Sequence, residues 1–172
     1  QGFRDFAINY DSTGRNNPFI ETNDASGAIM IDENDEVHMV WGRLQAYNDP
    51  PSPNTYFRRS FLDSLQYYRH GSPGTHSLIA NWVDANNDSL FNNAQSAYGW
   101  QSGSILTMPN LSSSPSGDTI ICTYAGIADS VSSFVNNTRL HHIFFIRSDD
   151  NGNTWSDPID LTPFDEFFEC VY

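Results

Sequence analysis

The sequence predicts an all-β fold, and three observations carry that prediction. Short apolar or alternating runs recur between clusters of Gly, Pro, Asn, Asp and Ser, while the i, i+3, i+4 spacing of an amphipathic helix is scarce. Aromatic residues make up 14% of the chain, more than disordered segments carry. An Arg-Ser pair closes an aromatic strand twice, at Arg59-Ser60 and at Arg147-Ser148, and each time an aromatic follows seven residues after the Ser.

The elements follow in order. Asn17–Ile20 opens the series. Ala28–Ile31 and Val37–Trp41 are strands around the polar turn Asp32–Glu36, whose alternating oxygens mimic a calcium loop but whose place between two strands makes it a hairpin. Thr55–Ser60 and Gln66–Arg69 come next, then an outer strand from Ser77 to Val83. The second half repeats the pattern with Ile105–Pro109, Thr119–Tyr124, Leu140–Arg147 and Pro158–Leu161, the last closed by Thr162-Pro163. Phe167–Tyr172 reads as one more apolar strand, so the sequence is expected to be a fragment of a longer protein. The stretches 44–54 and 125–138 exceed ordinary hairpin connections and are candidate binding loops or insertions.

One motif is specific. Ser148, Asp150, Gly152, Thr154 and Trp155 fit the octapeptide S-x-D-x-G-x-T-W at every defined position. Gly152 supplies the positive φ that a tight hairpin needs. The side chains of Ser148, Asp150 and Thr154 can bond the backbone and close the turn, and Trp155 can pack its ring into a core. A worn copy is read at 60–67, where Ser60 is kept, Leu62 replaces Asp, Ser64 replaces Gly, Gln66 replaces Thr and Tyr67 replaces Trp.

This octapeptide resembles the Asp box, or BNR repeat, of sialidase-like β-propellers. The resemblance implies a partial β-propeller with four-stranded antiparallel blades: about two blades and the first strand of a third. A blade over 17–83, an insertion over 84–103, a blade over 104–163 and the start of the next blade at 164–172 are expected. The two copies lie farther apart than a typical blade of roughly 40–50 residues, and the excess is placed in the insertion. In that family the box sits between the third and fourth strands of a blade, away from the catalytic face. It therefore implies fold and not activity.

The chain departs from the catalytic members of that family. Their first blade strand carries Arg-Ile-Pro, and further Arg residues clamp the sugar carboxylate. Here the corresponding strands read Asn17-Pro18-Phe19-Ile20 and Ile105-Leu106-Thr107-Met108-Pro109, without Arg. Gly42-Arg43 and Arg58-Arg59-Ser60 resemble family features shared with non-catalytic relatives. The expected function is a non-catalytic extracellular module for glycan or protein recognition or for surface architecture. Two alternatives stand beside it. One is an exo-acting, sialidase-like glycoside hydrolase whose catalytic residues lie mostly outside this segment. The other is a structural subunit of a secreted surface assembly or secretion complex.

Other candidates carry a plain reading next to the functional one. Asp84, Asn86 and Asp88 have the spacing of a Ca2+ loop, but Gln95 stands where an EF-hand has Glu, and an Asn/Asp-rich turn uses the same letters. Tyr47, Trp82, Tyr98 and Trp100 lie in or beside the long connections, where they either stack on a sugar or partner or plug an insertion onto the body. His141 and His142 are adjacent on a strand, so their rings point to opposite faces, one buried and one exposed. His38 is a packed or rim residue. Cys122 and Cys170 show no zinc spacing. Core thiols are the expected reading, with a disulfide as the alternative.

Charge narrows the partners. The chain has 21 Asp+Glu against 8 Lys+Arg, for a net charge of −13. Such a surface repels phosphate backbones and anionic bilayers, and no apolar run is long enough for a membrane helix. Nucleic acid and membrane insertion are not expected. Asn-x-Ser/Thr at Asn87, Asn110 and Asn136 fits a secreted or cell-surface protein, and so does Asp-Ser/Thr at Asp11, Asp63, Asp88, Asp118 and Asp129, which resembles the O-glycosylation motif of secreted Bacteroidetes proteins. Two isolated blades would leave strand edges open. The remainder of its own propeller or another subunit is therefore the expected partner.

Overall fold

The computed structural model describes residues 5–7, 18–48, 56–58, 64–71, 77–84, 87, 105–129, 134–135, 138–139 and 141–163. Among them there is no helix. The first sheet is built from β1 (Asp5–Ala7), β2 (Pro18–Ile31), β3 (Val37–Asn48), β4 (Tyr56–Arg58), β5 (Ser64–Arg69) and β6 (Ser77–Ala80). Its centre is the four-stranded antiparallel meander β2-β3-β5-β6, with β1 on the far part of β2 and β4 on the far part of β3. Next comes β7 (Val83–Asp84). The second sheet is a four-stranded antiparallel meander of β8 (Leu106–Ser113), β9 (Ile120–Gly126), β13 (His142–Ser148) and β14 (Ile159–Asp160). Between its second and third strands lie β10 (Ala128–Asp129), β11 (Phe134–Val135) and β12 (Thr138–Arg139). β10 pairs in parallel with β7, and β11 pairs with β12. Neither sheet closes on itself.

Side-chain alternation explains why the two sheets pack. In β13 the burial alternates with period two, and Phe144 and Ile146 face inward. In β9, Ile120, Cys122 and Tyr124 do the same. Val40, Leu65, Tyr67, Ile79 and Ala80 of the first sheet join Cys122, Tyr124, Phe144 and Ile146 in one buried cluster. Tyr124 and Phe144 stack with centroids 5.6 Å apart. Each large side chain taken fully from water contributes about 1.5–3 kcal/mol.

Several expectations are corrected. The polar stretch after Ile20 is not a break: β2 runs unbroken for 14 residues, with a bulge between Asn23 and Gly27. Ala25 takes φ +66, and Asn23 and Asp24 carboxamide and carboxylate oxygens accept the N–H groups of Ala25 and Ser26 at 2.9 and 3.0 Å. Side-chain bonding therefore replaces the ladder bonds lost at the bulge. Ser26 Oγ in turn accepts Met108 N–H at 3.0 Å, so the bulge docks on the irregular part of β8. Residues 44–48 belong to β3, and 125–138 contain parts of four strands, so neither stretch is wholly loop.

The worn octapeptide is also corrected. Ser64 and Tyr67 lie inside β5, paired with Arg43 and Val40 of β3. β4 and β5 both run along β3, so the chain does not turn back between them. Hydrophobic alternation decides this, since Leu65 and Tyr67 are needed in the core. Ser60 lies outside the described residues.

Candidate functional site

Three turns meet at one corner of the sheet pair: 32–36 between β2 and β3, 114–119 between β8 and β9, and 148–155 between β13 and β14. The first is closed by Asp32. Its backbone N–H bonds Glu36 O at 3.0 Å, and its Oδ1 accepts the N–H groups of Asn34 and Glu36 at 2.9 and 2.8 Å. Asp35 takes φ +61, a conformation Asp tolerates better than most residues. Burial alone would raise the Asp32 carboxyl, but the N–H groups of Glu36 and Asn34, with the Asn34 and His38 side chains, hold it below its ordinary value.

β3 carries His38 inward from this turn. His38 is 0% exposed. Its Nδ1 lies 2.6 Å from the Tyr67 hydroxyl, and its Nε2 lies 3.4 Å from Asp32 Oδ2. Burial pushes the Tyr67 hydroxyl well above its ordinary range. Arg69 opposes this, and the carboxylates of Glu36, Asp32 and Asp150 add to it, so the phenol stays neutral. Asp32, His38 and Tyr67 thus form a buried polar chain that runs from a turn into the core.

The octapeptide 148–155 receives the far end of that chain. Ser148 Oγ donates to Asp150 Oδ1 at 2.8 Å and accepts Gly152 N–H at 2.7 Å. Asp150 then accepts Thr154 N–H at 2.8 Å and the Thr154 hydroxyl at 2.7 Å. The N–H of Thr154, then the hydroxyls of Thr154 and Ser148, pull the Asp150 carboxyl down to about 2. Gly152 has φ +82, and a Cβ there would collide with the Tyr67 phenol ring. Trp155 meets Tyr67 edge-on, with centroids 5.2 Å apart.

Polar contacts complete the corner. Arg69 Nη1 donates to Asn151 O at 2.6 Å, and Asn151 Nδ2 donates to Glu36 Oε2 at 2.9 Å. Asn151 N–H bonds Asp118 O at 2.9 Å. Gly117, at φ +75, lies so close to the first turn that a Cβ would sit 2.7 Å from Asn34 Nδ2 and 3.4 Å from Asp32 Oδ2. Outside the corner, Arg147 holds Asp149 through two bonds of 2.6 Å on the surface.

The structure brings Tyr67 and the octapeptide residues together. Of the other sequence-derived candidates, Asp84 lies half-buried on β7, paired with Asp129, while Asn86 and Asp88 fall outside the described residues. Tyr47 is on β3 opposite Phe19 and Phe57. Trp82 packs partly buried against the core, and Tyr98 and Trp100 lie outside the described residues. His141 and His142 are both buried, which corrects the expectation of one exposed ring. His141 precedes β13, and the His142 ring is tied to Asp160 by a 2.6 Å contact across to β14. Cys122 is a free thiol, pushed up to about 12 by burial, and Cys170 lies outside the described residues. Asp32, Glu36 and His38 were not among the sequence candidates as a set. Their only signal was the spacing D-x-x-x-E-x-H within a hairpin.

Among the described residues no helix is long and apolar enough to cross a membrane. In comparison with known proteins, the chain matches no family model and no curated protein sequence.

Proposed function

We propose that this chain is part of a sialidase-like β-propeller, two neighbouring blades serving as a non-catalytic extracellular module for recognition of a glycan or protein. The observation that carries this reading is the octapeptide 148–155. It joins the third and fourth strands of a four-stranded meander, where Asp boxes lie in that family. Its Ser, Asp and Thr side chains bond one another and the turn's own backbone, and its Gly and Trp rest on Tyr67. Residues engaged in this way hold structure together.

The polar groups with catalytic chemistry support the same reading. The Asp32–His38–Tyr67 chain is buried, and buried His142 is tied to the half-buried Asp160 of β14. Arg69 is engaged by Asn151 and Asn153, and Arg147 by Asp149. Neither is disposed as a clamp for a sugar carboxylate. Recognition then falls to the stretches 44–54, 84–103 and 125–138, of which 44–48 belong to β3 and 125–138 holds parts of four strands.

Assay of the whole protein against sialyl and other glycosides, beside a glycan-binding screen, tests this. The expected result is binding without turnover. Turnover that disappears when an acid or Arg within 1–172 is changed would make the chain part of a glycosidase and overturn the proposal.

A further inference from the structure

We propose that Asp32, Glu36 and His38 form a binding site for a first-row divalent cation, with Zn2+ the best match, at the turn between β2 and β3. One ligand atom from each lies within 4.8 Å of the other two. The Asp32 Oδ2 to His38 Nε2 distance is 3.4 Å. Two donors on a tetrahedral zinc, with bonds near 2.0–2.1 Å, stand about 3.3 Å apart, so this pair already spans one edge of the polyhedron. The Glu36 side chain, 37% exposed, supplies the third donor, and its Oε2 also accepts Asn151 Nδ2 at 2.9 Å.

A second observation points to a ligand. His38 Nε2 is fully buried and makes no hydrogen bond. A buried ring nitrogen without a partner is rare in a folded protein. Asp32 Oδ2, which faces it, takes one long bond of 3.4 Å from Asn34 Nδ2. The ring nitrogen and the carboxylate oxygen thus face each other at 3.4 Å, longer than an ordinary hydrogen bond. A cation bonded to both resolves this.

The surroundings fit. With metal on Nε2, His38 Nδ1 carries the proton and donates to the Tyr67 hydroxyl at 2.6 Å, the outer-shell bond that orients a ligating imidazole. Asp32 Oδ1 is held by two backbone N–H groups, so Oδ2 keeps a fixed direction. Arg69 lies 3.8 Å from Glu36 Oε2 and opposes a cation, but its guanidinium is also anchored on Asn151 and Asn153. One imidazole with two carboxylates suits zinc better than the all-oxygen cage of calcium. Three protein donors leave a fourth position for water.

Equilibrium dialysis of the 172-residue chain against Zn2+, with metal analysis and thermal melts, tests the site. The expected result is one Zn2+ per chain, a Tm raised by Zn2+ and returned by chelator, and neither effect from Ca2+. Glu36→Gln keeps the backbone bonds of the turn and is expected to lower Zn2+ affinity by about tenfold or more, since even outer-shell partners cost that much. Nitrogen resonances of the histidine rings give a readout that needs no variant: His38 shifts on Zn2+ addition and His142, equally buried, does not. Substoichiometric uptake, uptake unchanged in Glu36→Gln, or a shift at His142 in place of His38 overturns the proposal. The propeller reading stands or falls separately, on turnover and ligand binding by the whole protein.

Discussion

The turns 32–36 and 148–155 use one device in two settings. In each, an Asp carboxylate placed at the start of a turn catches an N–H four residues on: Glu36 N–H for Asp32 and Thr154 N–H for Asp150. In the second turn the carboxylate is exposed, and Ser148 and Thr154 hydroxyls use its remaining capacity. The bonds of that carboxylate all stay within the turn. In the first turn the carboxylate is buried, and its second oxygen faces a buried histidine nitrogen 3.4 Å away. The difference lies in burial rather than in the turn chemistry. Solvent completes whatever an exposed turn leaves unmet, whereas a buried turn must find its partner within the protein or in a ligand.

Tyr67 touches the second turn directly and reaches the first through His38, so changes at this contact should do the most damage. Gly152→Ala adds a methyl group at φ +82, directly against the Tyr67 ring. Backbone strain and overpacking together are expected to cost roughly 2–5 kcal/mol, read as a shift of the urea midpoint with unchanged m. A loss below about 1 kcal/mol would mean the octapeptide is not clamped on Tyr67. Tyr67→Phe comes next. It keeps the edge-on contact with Trp155 and leaves His38 Nδ1 buried without its partner. A cost of about 1–3 kcal/mol follows from an unsatisfied buried polar atom. If Tyr67→Phe is neutral, the polar chain from Asp32 to Tyr67 contributes nothing to folding.

How much of this was legible in the sequence depends on range. Strands with clear alternation, such as His142–Ser148 and Ile120–Gly126, are visible because period two survives in one sequence. So is the octapeptide 148–155, since the bonds among its Ser148, Asp150, Gly152 and Thr154 run within a few residues. β2 reads as two strands in the sequence because Glu21–Gly27 is polar and bulged; its strand character comes from pairing with β3, Thr22 opposite Leu44 and Gly27 opposite Trp41, not from its own pattern. The segment 60–67 resembled a worn turn because Ser and an aromatic fell at matching offsets, but core demand for Leu65 and Tyr67 makes it strand. His38 and Tyr67 are 29 positions apart, and no local spacing announces their contact.

The smallest expected effect separates the two carboxylates by pH. Asp150 is held at about 2 in the folded chain, against an ordinary value of about 3.9. The unfolded chain therefore binds more protons between these values, and stability rises with pH across that window. Its contribution is complete above about 4 and disappears as pH falls through about 2. Urea melts from pH 5 down to 2 on the parent and on Asp150→Asn check this. The variant should start less stable at neutral pH and lose less on acidification, so that the two curves converge at low pH. Parallel curves would place the acid sensitivity elsewhere, with Asp32 or Asp149, both also held below their ordinary range, as the remaining carriers. Because Asp149 takes its shift chiefly from the exposed Arg147, added salt should weaken its share. The shares of Asp150 and Asp32, fixed by hydrogen bonds at short range, should persist.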